Sequence, residues 1–463
     1  MKYFFLLFSV SLLSFSSLQA QKELKTLAEG DEAVIESLFK LSLTDCSAYP
    51  WLESLCKDIG HRLSGSPQAA EAVEYSCKIM SELGLDVIKQ PVMVPHWERG
   101  EKEIAFFAAD KGEKKLVNIC ALGGSISTGN EGILAPIIEI SDWSELAVLG
   151  REKVEGKIVF FNEKMPAENL YTFHSYGHCV KHRWGGAVEA AKYGAKAAIV
   201  RSLNLRIDDF PHTGSMGYES GVDSIPAAAI STADAEALSL ALSKGEEVQF
   251  YLRQLCQTFE DAPSHNVIGE IKGTKYPDQV ILVGGHLDSW DIGDGAHDDG
   301  AGVMQSLAAL ELLKKMDYQP EHTIRVVFFM NEENGLRGAT KYAEEAAKSG
   351  QTHIAAIESD RGGFTPRGFH VDGNPEALQK IQSWKSMLEP FGLHQLDEGH
   401  GGADIGPLKT DDNVMIGFVP DSQRYFDHHH SANDTFDQVN KRELELGSAS
   451  IAALVYLIDK YGI

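Results

Sequence analysis

Cysteine is scarce in this chain: six residues in 463, with no two at a C-x-x-C spacing. That excludes the thiolate zinc sites built on such pairs. Cys46 and Cys56 are close enough in sequence to bond, and buried free thiols fit the same count. Positive charge is also short, with 42 Lys and Arg against 67 Asp and Glu and a formal net charge of −25 with His neutral. Nucleic acid and anionic lipid both need clustered Lys and Arg, so neither is expected as a partner. Beyond residue 20 no apolar run is long enough to span a bilayer, so stable membrane insertion is not expected either. Composition excludes disorder: 43 % of residues are apolar and 24 % charged, as in ordinary globular proteins.

What is present begins with an export signal. Lys2 is followed by an apolar stretch over 3–13 and a small, polar stretch over 14–20 that ends at Ala20. This is the anatomy of a cleaved signal peptide over 1–20, and it implies a periplasmic or secreted protein. Apolar periodicity then predicts helices over 22–45 and 67–84 and a strand over 85–94. From about 116 to 256 short strands (133–140, 157–161, 197–200, 225–230) alternate with Gly-rich turns and the helices 188–193 and 232–243. That stretch reads as an inserted domain between the parts 21–115 and 257–463 of a main domain. Its His174, His178, His182 and His212 follow no pattern that links them to the chemistry below.

The last 200 residues or so have a regular α/β rhythm, with buried strands at 280–284, 324–330, 354–357 and 414–419 and a helix at 301–316. Such alternation predicts an α/β fold whose mixed, mostly parallel sheet is covered on both faces. Ligands in such sheets gather beyond the strand carboxyl ends. Just past those ends stand His286 and Asp288, then Glu332 and Glu333, then Asp360, and last a loop holding Asp427 to His430 and Asp434; Asp298 opens the helix after the first strand. Each group alone is weak, since a strand-terminal Asp is more often a helix cap. Four loops converging on one sheet edge are a stronger signal.

Two imidazoles and three carboxylates without a thiolate suit zinc or a similar divalent ion. They are too many for one catalytic zinc and enough for two if Asp298 bridges. His286 and Asp360 would complete one site, and Glu333 and His430 the other. Glu332 is then surplus, and a carboxylate beside such a centre can take a proton from the attacking water and pass it to a leaving amine. Asp288, two residues from His286, is expected to orient that imidazole, and Asp434 to do the same for the loop of His430.

The motifs HLD, HDDGAG, NEEN, ESD and HSANDT, in this order, resemble the di-zinc aminopeptidase and glutamate carboxypeptidase superfamily, in particular its carboxypeptidase branch. HRLSGS at 61–66, PHWERG at 95–100, GAVEAAKYGA at 186–195, PHTG at 211–214 and YFDHHHSANDT at 425–435 carry the likeness outside the metal motifs. The resemblance implies a three-layer αβα zinc-exopeptidase domain with an inserted β-rich protease-associated domain at 116–256, which serves as a lid or specificity element. It implies two Zn²⁺ per chain on His286, Asp298, Glu333, Asp360 and His430, with Glu332 as general base and Asp288 beside it. It further implies a cis peptide bond at Asp298–Asp299, dipeptide or short-peptide substrates and a homodimer. Two other readings stand beside this one: an aminopeptidase with the same chemistry, and a binding protein that keeps the fold without the metals. A binding protein should have lost a ligand or the base, and none is missing. Arg361, Lys409 and Arg424 are candidates for holding a substrate carboxylate, and Glu358 and Asp404 for holding a free amine.

Overall fold

The computed structural model describes residues 30–109, 112–245 and 247–463. The signal peptide expected over 1–20 lies outside these. Among the described residues, no helix is long and apolar enough to cross a membrane. All six cysteines are free.

The main sheet has eight strands in the order Asp86–Glu98, Gln257–Ile271, His322–Phe329, Tyr276–His286, Thr352–Glu358, Val414–Pro420, Pro366–Asp372, Gln395–Glu398. Its four central strands run parallel, as does the edge pair. The remaining three pairings are antiparallel, so the sheet is mixed and mostly parallel. Period-two alternation explains why it is covered on both sides. Ile281, Val283, Val326, Phe328, Ile357 and Ile416 pack into a core shared with the helices Ala301–Lys315 and Lys441–Tyr461. Their neighbours Val280, Leu282, Val327, Phe329, Ala356 and Met415 pack on the opposite face against helix Arg337–Ser349. The result is the three-layer αβα arrangement expected.

Local signals set the helix ends. Ser66 accepts a hydrogen bond from the Ala69 amide, and Pro67 occupies the first turn of helix Pro67–Glu82. Asn440 caps Lys441–Tyr461 in the same way. The N-terminal helix spans 30–44 of the described residues.

A second eight-stranded sheet is built from residues between Ile104 and Arg253. Ile158–Phe161, Ala197–Arg201 and Ala227–Ile230 are parallel strands flanked by helices Thr172–Lys192 and Thr232–Leu242. The first of these helices is far longer than the 188–193 stretch that periodicity marks. It runs through Gly177, Gly185 and Gly186, and Gly186 lets it pack directly against Phe161, whose ring lies 3.0 Å from where a Cβ would stand. Gly185 and Gly186, which look like breaks, are contact points against Trp143 and Phe161.

Candidate metal centre

The four parallel central strands end at one edge, and each delivers a polar side chain there. His286 is the last residue of Tyr276–His286 and only 1 % exposed. Its Nδ1 lies 2.9 Å from the main-chain carbonyl of Asp288, which leaves Nε2 facing the cluster as an acceptor. Sequence spacing places Asp288 beside this ring, but the carboxylate is 3.9 Å from Nδ1 and serves another purpose. It accepts from the amides of Asn331 (2.7 Å), Glu332 (3.1 Å) and Glu333 (3.4 Å), and so fixes the turn that carries both glutamates.

Asp298 sits at the centre. Its Oδ1 is 3.3 Å from His286 Nε2 and its Oδ2 is 3.2 Å from His430 Nε2. Asp360 Oδ1 lies 3.5 Å from His286 Nε2, and Glu333 Oε2 lies 3.0 Å from His430 Nε2. The five residues therefore fall into two groups that share Asp298. Among the buried atoms with no hydrogen-bond partner are Asp298 Oδ2, Glu333 Oε1 and Asp360 Oδ1. Orphaned carboxylate oxygens are costly in a buried site unless a cation satisfies them. A tetrahedral zinc with bonds of about 2.0–2.2 Å holds neighbouring ligand atoms roughly 3.3–3.6 Å apart, and the spacings here, 3.0–3.5 Å, are close to that. The residues present fit divalent metal. His429 stacks on His430 with ring centroids 3.6 Å apart, and its Nε2 is 3.7 Å from Asp298 Oδ2.

The Asp298–Asp299 peptide bond is cis, as the resemblance implies. Several other supports were not legible in the sequence. Asp299 is fully buried and accepts from the amides of His286 and Gly302, both at 3.1 Å. Gly285 is required beside it, since a Cβ there would strike the Asp299 carboxylate and stand 2.9 Å from the Ser359 carbonyl. Asp434 accepts from the amides of His297 (2.7 Å) and Asp298 (3.1 Å), so it holds the backbone of Asp298 and not the ring of His430. Arg62, from the HRLSGS motif, is fully buried and donates to the carbonyls of Leu287, Asp294 and Gly295 at 2.5–2.8 Å, which clamps the loop between the first ligand and the central one.

The ring of His430 is oriented from the other sheet's side of the molecule. The Thr213 amide donates to the His430 carbonyl (2.8 Å), and the Thr213 carbonyl lies 3.2 Å from His430 Nδ1. Ser215 Oγ donates to the Glu333 carbonyl at 2.7 Å. Arg183 NH1 is 3.2 Å from the same His430 Nδ1. Of the four histidines without a pattern, His212 is buried and pairs with Ser431 in an isolated bridge, and His174 lines a cavity described next.

Two cavities meet at the cluster. One, of about 470 Å³, is lined by Glu332, Glu333, Asp298, His430, Asp360 and Arg183 among others. The other, of about 530 Å³, lies on the far side of Asp360 and is lined by Arg361, His370 and Glu358. Phe173 and Asp360 line both. Burial pushes the Glu332 carboxyl up to about 8, with His286 opposing and the carboxylates of Asp360, Asp298 and Asp288 adding to the rise. Burial likewise raises Asp434 to about 7.

Residues 266–455 match the model of Peptidase family M28. The chain is 38 % identical to carboxypeptidase Q of Xenopus laevis over 412 residues, covering 89 % of this chain and 85 % of that protein. The crystal structure of a peptidase M28 precursor from Shewanella amazonensis superposes with a TM-score of 0.88 at 34 % identity, over 93 % of this chain and 97 % of that one. A zinc aminopeptidase from Bacillus subtilis shares the fold at a TM-score of 0.62 and 21 % identity, over 88 % and 94 % of the two chains. A converging set of imidazoles and carboxylates and a match of this extent give the same answer: the chain belongs to peptidase family M28 and is a metallo-exopeptidase.

Proposed function

We propose that the chain is a zinc-dependent exopeptidase that hydrolyses dipeptides or short peptides with two zinc ions per chain. The observation that carries this reading is Asp298, whose two oxygens face His286 and His430 separately. His286 and Asp360 would hold one ion, His430 and Glu333 the other, and Asp298 would be common to both. When bound, the ions supply positive charge that polarises the scissile carbonyl and acidifies a water.

The chain's own groups do the rest. Glu332 lines the cavity beside the cluster, and its carboxylate, ionised once bound cations offset the surrounding acids, can accept a proton and return it to the leaving nitrogen. Asp288 keeps Glu332 in place through its amide. His286 is kept in the tautomer that offers Nε2 by the Asp288 carbonyl, and the Thr213 carbonyl does the same for His430.

The segment that builds the second sheet, read as a protease-associated insert over 116–256, covers the site and supplies Phe173, Arg183 and Thr213 to it. The motif likeness and the carboxypeptidase Q relative favour a carboxypeptidase or dipeptidase over an aminopeptidase. Export by the leader and a homodimer belong to the same reading. The test is a dipeptide panel with either terminus blocked, run with and without chelator, beside metal analysis. The reading expects about two zinc ions per chain, chelator-sensitive hydrolysis of the unblocked dipeptides, and loss of turnover when the C-terminus is amidated. Hydrolysis that survives complete metal removal would refute it.

A further inference from the structure

We propose that the 530 Å³ recess holds the acyl-side residue of the substrate and that Arg361 selects one whose side chain ends in a carboxylate. This rests on the exopeptidase reading above and adds the substrate class. The assignment of sides follows from Glu332. The group that protonates the leaving nitrogen must lie within hydrogen-bond reach of it. Glu332 lines the smaller cavity and not the larger one, so the leaving residue occupies the smaller. The scissile carbonyl then lies at the cluster, and the acyl residue extends past Asp360 into the larger recess.

Arg361, the residue after Asp360, lines that recess. It is held there from three directions. NH1 contacts His370 Nδ1 at 3.0 Å, NH2 donates to the His400 carbonyl at 3.2 Å, and the guanidinium lies over the Phe173 ring at 5.5 Å. Gly417 makes room for this: a Cβ there would come within 2.7 Å of the His400 carbonyl and 3.3 Å of Arg361 NH2. A guanidinium has five N–H donors, and these contacts use two.

Among the described residues no carboxylate pairs with Arg361 within ion-pair distance, whereas neighbouring cations are paired: Arg424 with Glu443, Arg367 with Asp421 and Lys409 with Asp372. Of the other acids lining the recess, Glu358 is taken up by the amides of Ala403 (2.8 Å) and Ile405 (2.9 Å), and Glu398 is an exposed side chain at its rim. Asp360 is committed to the cluster. A positioned, planar fork without an anion beside the reacting centre is built for bidentate carboxylate recognition. Tyr171, His174, His370 and the segment 398–403 provide the remaining wall, and the volume is enough for an acidic side chain.

The experiment compares kcat/KM for Glu-Leu, Gln-Leu and Lys-Leu, which share one leaving residue, on the zinc-loaded protein and on Arg361→Gln and Arg361→Lys. The parent is expected to prefer Glu-Leu over Gln-Leu by about tenfold or more, equivalent to about 1.4 kcal/mol. Arg361→Gln should bring that ratio to near one, and Arg361→Lys should keep part of it. A ratio near one in the parent, or one that Arg361→Gln leaves unchanged, overturns the proposal. So does an equal fall for all three substrates, which would mark a structural role. Hydrolysis without Glu/Gln discrimination sinks this assignment alone; no hydrolysis of any dipeptide by the parent sinks it together with the exopeptidase reading.

Discussion

Glu332 and Glu333 are adjacent, yet the turn that Asp288 fixes lets them do different work. Glu333 points its Oε2 at His430, and Glu332 faces the cavity. Replacing Glu332 with Gln removes the proton carrier and nothing else. The variant is therefore expected to keep the parent's zinc content while kcat falls about 10²–10⁴-fold, the usual share of general acid–base catalysis; metal analysis and steady-state kinetics on one preparation check both halves. Arg62 gives the complementary case, with no part in the chemistry and three carbonyls accepting from it. Arg62→Met should destabilise the fold by about 2 kcal/mol or more, because the carbonyls of Leu287 and Asp294 lose this donor, while that of Gly295 keeps the Gly300 amide. Equilibrium denaturation measures it. At this scale the side chains that converge on the cluster were readable from the sequence, but the atoms through which they are supported were not. Spacing set Asp288 near His286 and Asp434 near His430, and it cannot say that a carboxylate will prefer three amides to one imidazole. Arg62 was invisible as a clamp because a charged residue in a short polar loop gives no sign of burial.

Strands and their loops carry the next lesson. The four central strands were legible because each is a continuous apolar run between polar loops, and their carboxyl ends gave the site. On the antiparallel side the strand over 85–94 was legible and its partner was not. Gln257–Ile271 begins with an exposed, polar stretch and pairs with Asp86–Glu98, so its apolar alternation is diluted over half its length. Helix Thr172–Lys192 was cut short in the reading because glycine normally signals a break, whereas here it allows close packing on Phe161. A glycine at a strand end tests the same idea. Gly285→Ala forces Asp299 away from the His286 amide, and overpacking of this kind costs about 1–3 kcal/mol. We expect a lower Tm and a loss of bound zinc together, seen by calorimetry and metal analysis, whereas a purely structural defect would lower Tm alone.

For the molecule as a whole, the buried acids make stability depend on pH and metal jointly. Glu332, Asp434 and Glu358 have carboxyls raised from 4.5, 3.8 and 4.5 to about 8, 7 and 7 respectively. Each holds a proton in the folded state that the unfolded chain has already lost, so the metal-free fold loses stability as pH rises through that window. Chelated protein should therefore show a Tm that falls from about pH 5 to pH 8. Zinc-loaded protein should not, because the cations replace the protons. A flat profile for the chelated form would contradict the burial of these groups. The reciprocal pair between Thr213 and His430 has a further consequence. One partner belongs to the segment that builds the second sheet, and the other is a proposed metal ligand beside the first. Whatever tightens one contact tightens the other, and thermodynamic linkage makes the effect equal in both directions. Loading the centre should slow amide exchange in the 211–216 segment, and loosening that segment by Thr213→Gly should weaken metal affinity by the matching factor. The two sheets are in this sense a single instrument, with the metal as the catch that couples them.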